Sequence, residues 1–183
     1  MKSIIMRNIL CTVLWIGVWM TPAAGQLKTT ETEDVDIIYT SPLHKYLLPQ
    51  LVSTFTNSYN FHRNLFGYTP TETISILMQD FGDFGHGGAD ALPKNNVNIG
   101  IGPFNYVYET MPASERMNWL MHHELTHIVT TDMPNRRDRL WRGIFRGKVS
   151  TSIDDPLSIM YSYLTNPRRY APRWYHEGSA VFM

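Results

Sequence analysis

His123-Glu124-Leu125-Thr126-His127 places two imidazoles four residues apart in the chain. On a helix, positions i and i+4 share a face one turn apart, where two ring nitrogens can hold one metal ion. Glu124 then stands beside the open side of that metal. Neutral histidine nitrogens bind Zn²⁺ at about 2.0–2.1 Å, and a nearby carboxylate can take a proton from zinc-bound water. Seven histidines and seven glutamates among 183 residues give this pattern by chance with a frequency of roughly one per cent. The flanking sequence therefore has to carry part of the argument.

Around the motif, Ala113, Met117, Leu120, Met121, Leu125, Ile128 and Val129 recur at spacings of three and four, which predicts a helix from about Pro112 to Thr131 with one buried face. Pro112 and Ser114 suit its start, and Met133-Pro134 its end. Three protein ligands need one more donor. The metzincin option requires Gly three residues and His six residues after the second histidine, where this chain has Thr130 and Met133. Farther on, Pro172-Arg173-Trp174-Tyr175-His176-Glu177-Gly178-Ser179-Ala180 offers a carboxylate, Glu177, in the first turn of a new helix. His176 is its competitor as a ligand, because adjacent helix positions point about 100° apart and only one of them faces the metal. A substrate-facing His176 is the other option, while His122 points elsewhere and reads as structural.

The two motifs resemble those of the gluzincin peptidases, in which His-Glu-x-x-His is followed by a glutamate on a second helix. The closer likeness is to the peptidase MA-like domain found ahead of β-propeller repeats in bacterial envelope proteins. It rests on His123 to His127, on the stretch Leu140 to Val149, and on Trp174 with Glu177-Gly178 and Ala180-Val181. This resemblance implies an α+β, zincin-like fold: a small mixed sheet with an edge strand beside a metal-binding active-site helix, followed by a mainly helical part. It also implies one Zn²⁺ per chain on His123, His127 and Glu177, Glu124 as general base, and a peptide or protein substrate. Thermolysin-like members place Asp four residues after the ligand glutamate to orient a zinc histidine. Val181 stands there in this chain, which leaves the partners of the ligands unassigned. The corresponding family helix runs on past the position of Met183, so the chain is expected to be a piece of a longer protein with a C-terminal β-propeller. The alternative reading is a non-catalytic, peptidase-like binding or scaffold module of a cell-envelope protein. A retained Glu124 speaks against it, because binding alone has no chemical need for that residue.

At the N-terminus, Lys2 and Arg7 precede the apolar run Ile9 to Met20 and then Thr21-Pro22-Ala23-Ala24-Gly25, the pattern of a secretory signal over residues 1–25. The run is too short for a comfortable membrane span. The expectation is an exported protein, periplasmic or secreted, whose residues 26–183 form one peptidase domain. Cys11, the single cysteine, would leave with the signal, and cysteine nucleophiles and disulfides go with it. Sixteen basic residues balance sixteen acidic ones, so there is no global pull towards nucleic acid, and none is expected as a partner. Gln26 to Glu33, polar and threonine-rich, is expected as a disordered leader.

Val35 to Tyr39 and Thr73 to Met78 are predicted strands, and Leu43 to Phe66 a long helix interrupted by Pro49. Asn96 to Ile101 alternates polar and apolar and is predicted as a third strand, at a sheet edge. In the family resembled, that strand runs along the cleft and pairs with extended substrate, which makes Asn98, Ile99 and Gly100 the expected substrate-binding residues. The glycine-rich segment Asp80 to Asp90 reads as a bent loop, either a lip over the cleft or plain solvent loop, with His86 on the surface. Arg136 to Arg146 sets Leu140, Trp141, Ile144 and Phe145 against arginines. Such a basic amphipathic helix can lie on an anionic membrane surface or dock a partner; the plainer reading is a surface helix packed by its aromatic face. Asp154-Asp155-Pro156 starts another helix through Leu157 to Leu164. Tyr170 and Tyr175 are candidate oxyanion donors that spacing does not select.

Overall fold

The computed structural model describes residues 27–82, 85–102 and 115–183. The expected signal over 1–25 and the helix start at Pro112 and Ser114 lie outside the described residues. Strands β1 (Lys28–Glu31), β2 (Val35–Tyr39), β3 (Ile74–Gln79), β4 (Gly87–Asp90) and β5 (Asn96–Gly100) form one mixed sheet in the order β1-β2-β3-β5-β4. Alternation does its usual work in the centre: Val35, Ile37 and Tyr39 of β2 and Ile74, Ile76 and Met78 of β3 all turn into the core. The two strands run parallel, which demands a crossover. A 3₁₀ turn at Pro42–Leu47 and helix α1 (Leu48–Phe66) supply it. Helix α1 buries Leu48, Leu51, Phe55, Tyr59 and His62 at helical spacing and ends at Gly67, whose φ of 57° suits a residue without Cβ.

Helix α2 (Arg116–Asp132) packs on α1, and its buried stripe of Leu120, Met121, Leu125 and Ile128 joins the core of the sheet. Glu115 caps it, its carboxylate accepting the backbone N–H groups of Met117 and Asn118. The rest is helical: α3 (Arg136–Phe145), α4 (Leu157–Thr165), a 3₁₀ turn at Pro167–Tyr170 and α5 (Arg173–Phe182). A five-stranded mixed sheet with five α-helices among the described residues agrees with the α+β expectation.

Four expectations fail for identifiable reasons. Gln26 to Glu33 is not a featureless leader, because Lys28–Glu31 pairs antiparallel with β2, covering a sheet edge that would otherwise stay open. Asn96–Gly100 is not an edge strand either. It pairs parallel with β3 on one side and antiparallel with β4 on the other, so the backbone of Asn98, Ile99 and Gly100 is already engaged and cannot add a substrate strand. Its alternation reflects one face in the core, with Val97 and Ile99, and one half-buried face, with Asn96 and Asn98. The edge belongs instead to Gly87–Asp90, inside the segment expected to be a loop. On α3 the four apolar residues do not share a side: Trp141 and Phe145 turn inward, Phe145 stacking on Tyr161 at 5.1 Å, whereas Leu140 and Ile144 face solvent.

Candidate metal centre

His123 and His127 stand on the side of α2 that leaves the core, with their Nε2 atoms 3.1 Å apart. The Trp119 ring lies against His123 at 5.1 Å. Helix α5 crosses beside α2, anchored by buried Ala180, and presents Glu177. The Oε2 atom of Glu177 lies 3.5 Å from Nε2 of His123 and 3.7 Å from Nε2 of His127. Glu177 is the fifth residue of α5, in its second turn rather than its first.

Donors arranged tetrahedrally around zinc at about 2.0–2.2 Å are separated by about 3.3–3.6 Å. The three observed separations straddle that range, so two imidazoles and one carboxylate fit a divalent cation and leave room for one further ligand. Among the described residues these three form the one His/Asp/Glu group with metal-holding geometry. Burial, the largest influence, lowers the pKa of both histidines; at His127 the neighbouring His123 adds to it. Both are thereby held in the neutral form that ligates.

Glu124 is 4% exposed. Burial first, and then the charge of Glu177, push its carboxyl up to about 7. Its Oε2 has no hydrogen-bond partner among the described residues. A carboxyl poised near neutrality beside three residues that could hold a metal has the property a general base needs.

These groups line one wall of a cavity of about 540 Å³, and Gly87, Gly88, Ala89 and Asp90 of edge strand β4 line another. At its far end Arg169, from the turn before α5, grips Asp90 in a bidentate pair, Nε to Oδ1 at 3.1 Å and Nη2 to Oδ2 at 2.6 Å. Burial would raise the Asp90 carboxyl, but the hydrogen bonds from Arg169 and from the Leu92 amide outweigh it and hold it below the usual value. The pair ties the edge strand to the segment that carries Glu177. His176 also faces the cavity, with both ring nitrogens buried and without hydrogen-bond partners among the described residues.

Of the residues singled out from sequence, His123, Glu124, His127 and Glu177 come together, and His176 joins them as a wall. Tyr170 and Tyr175 are half-exposed and do not line the cavity. His122 points away to His62, whose Nε2 lies 3.1 Å from the His122 carbonyl and 3.0 Å from His122 Nδ1. His86 is exposed, as expected. Sequence reasoning held Gly87 and Asp90 only as part of a candidate lip over the cleft, not on a strand that lines it, and missed Arg169. The one available signal was the Gly87-Gly88 pair shortly before an alternating strand, a mark of close backbone approach. In comparisons by sequence, no protein-family model matches the chain and no curated protein matches it, so the functional reading rests on the site itself.

Proposed function

We propose that this protein is an exported zinc-dependent peptidase with a zincin-like arrangement. The observation that carries the reading is the convergence of His123, His127 and Glu177 within 3.1–3.7 Å of one another, with a buried Glu124 next to them. A bound Zn²⁺ would supply Lewis acidity, polarising a water and the scissile carbonyl. Glu124 takes the proton from the attacking water at its carboxylate and delivers it to the leaving amine. His123 and His127, held neutral, and Glu177 would hold the ion.

The outer edge of β4, which no strand pairs with among the described residues, gives an extended peptide a row of backbone donors and acceptors, so recognition rests on main chain more than on side chains. This edge takes the place of the Asn98–Gly100 strand as the substrate wall. Two histidines and a carboxylate also accept other divalent ions, Fe²⁺ among them, which makes the metal's identity part of the test. The purified protein is analysed for metal and incubated with an unstructured protein substrate, beside Glu177→Ala and Glu124→Gln. One zinc per chain, lost in the first variant, with cleavage lost but zinc retained in the second, is the expected pattern. A wild type that binds no divalent ion refutes the proposal.

A further inference from the structure

Helix α4 is built inside out. Its buried residues are Ser158, Ser162 and Thr165, and two of their hydroxyls serve the backbone: Ser158 Oγ accepts the N–H of Ser152 at 2.7 Å, and Thr165 Oγ1 that of Val149 at 3.1 Å. Leu157, Ile159, Met160 and Tyr163 point to solvent, each at least half exposed. Helix α3 lies alongside, joined by the Phe145–Tyr161 contact and by Arg142 Nε donating to the Thr165 carbonyl at 2.8 Å. It too turns apolar residues outward, with Leu140 62% and Ile144 60% exposed. Of the nineteen large apolar side chains exposed among the described residues, six belong to these two helices. Single exposed apolar residues are ordinary, but two packed helices that both turn several outward mark an interaction face.

Charge selects the occupant. Residues 133–183 hold nine of the sixteen Lys and Arg but only four of the sixteen Asp and Glu. Arg136, Arg137, Arg139 and Arg146 are exposed and form no ion pair among the described residues. On these two helices and the segment joining them, Asp138 is buried in the cap of α3, which leaves Asp154 and Asp155 as the exposed carboxylates. A second copy of the chain would bring four arginines against four, with too few carboxylates to pair them. An anionic lipid surface matches both features, because apolar side chains enter the acyl boundary while guanidinium groups meet phosphates.

We propose that the outer faces of α3 and α4 dock this protein on an anionic membrane. The contact proposed is peripheral, made by side chains of two helix faces lying on the lipid surface; no helix among the described residues is long and apolar enough to cross a membrane. Docking through these faces depends neither on a bound metal nor on peptidase activity.

The test is co-sedimentation with phosphatidylcholine vesicles containing phosphatidylglycerol, against vesicles of phosphatidylcholine alone, with light scattering on the same samples. Binding to the anionic vesicles is expected, falling steeply with salt. Arg136→Gln/Arg137→Gln should weaken it about fivefold per residue. Leu140→Ser/Ile144→Ser and Leu157→Ser/Met160→Ser, all at exposed positions, should weaken it about tenfold or more with unchanged thermal unfolding. Failure to bind anionic vesicles, or binding that these variants leave intact, overturns the proposal. A dimer that the serine variants dissociate, without vesicle binding, assigns the face to a second copy instead.

Discussion

Gly87 of the edge strand lies directly against Glu124 of helix α2: a β-carbon added at Gly87 would overlap Oε1 of Glu124 and Cδ1 of Leu120. The edge strand and the proposed general base can share this space only because position 87 has no side chain. Gly87→Ala should therefore displace the Glu124 carboxyl rather than unfold the sheet, at a cost of about 1–3 kcal/mol for overpacking. The expected outcome is unchanged zinc content with cleavage reduced at least about tenfold. Elemental analysis and steady-state rates on one preparation check it, and full activity would show that Glu124 tolerates the shift.

Much of the site was legible because its spacing is local. His123, Glu124 and His127 are fixed by one turn of helix whatever surrounds them, and Glu177 was found by its own short motif. Strand β5 was legible as a strand but not in its place, since the alternation of Val97 and Ile99 reports which residues are buried and says nothing about which strands flank them. Strand β4, Gly-Gly-Ala-Asp, has no apolar period and owes its conformation to pairing with β5 and to the tight approach of α2. The Arg169–Asp90 pair joins positions 79 residues apart, and no local pattern encodes that. On α3 the apolar residues come as two adjacent pairs about 100° apart around the helix, and tertiary packing chose Trp141 and Phe145 over Leu140 and Ile144.

His176 faces the cavity with two buried nitrogens that nothing in the described protein satisfies. Leaving such groups unpaired is costly unless a ligand completes them. His176→Phe keeps the ring's bulk and removes the donors. It should retain zinc while lowering kcat by about 10²-fold, the scale of a lost hydrogen bond to developing charge. A fall in zinc content instead would make His176 part of the metal site, and an unchanged kcat would make it merely a wall.

Asp132, 2% exposed at the end of α2, binds four partners through its carboxylate: Tyr68 and Asn95 at Oδ2, Arg142 and Lys148 at Oδ1. Burial would raise this carboxyl, but Lys148, then Asn95 and Arg142, outweigh it and hold it low. Asp132→Ala leaves Lys148, whose side chain is 1% exposed, with Glu72 as its remaining carboxylate. Breaking a buried pair on one side typically costs about 3–5 kcal/mol, and chemical unfolding should show a loss of that order. Replacing both, Asp132→Ala with Lys148→Met, should recover part of it. A single variant as stable as wild type would mean that the cluster adds no net stability.

His62 is fully buried in α1, and its Nε2 meets the carbonyl and ring of His122. Burial, reinforced by His122, pushes its pKa down to about 4. An unfolded chain takes up a proton on this ring below about 6.5, and the folded chain does not. The contribution to stability is therefore complete above about pH 6.5 and is lost as the pH falls towards about 4. With a gap of about 2.5 units at about 1.36 kcal/mol each, the full loss is on the order of 3 kcal/mol. His62→Gln keeps an N–H donor for the His122 carbonyl but has nothing to protonate. Urea unfolding at pH 7.5 and at pH 4.5 should show a smaller drop for the variant than for wild type. The same drop in both would place the acid sensitivity elsewhere, with His122, His123 and His127, whose pKa values are also lowered by burial, as the next rings to replace.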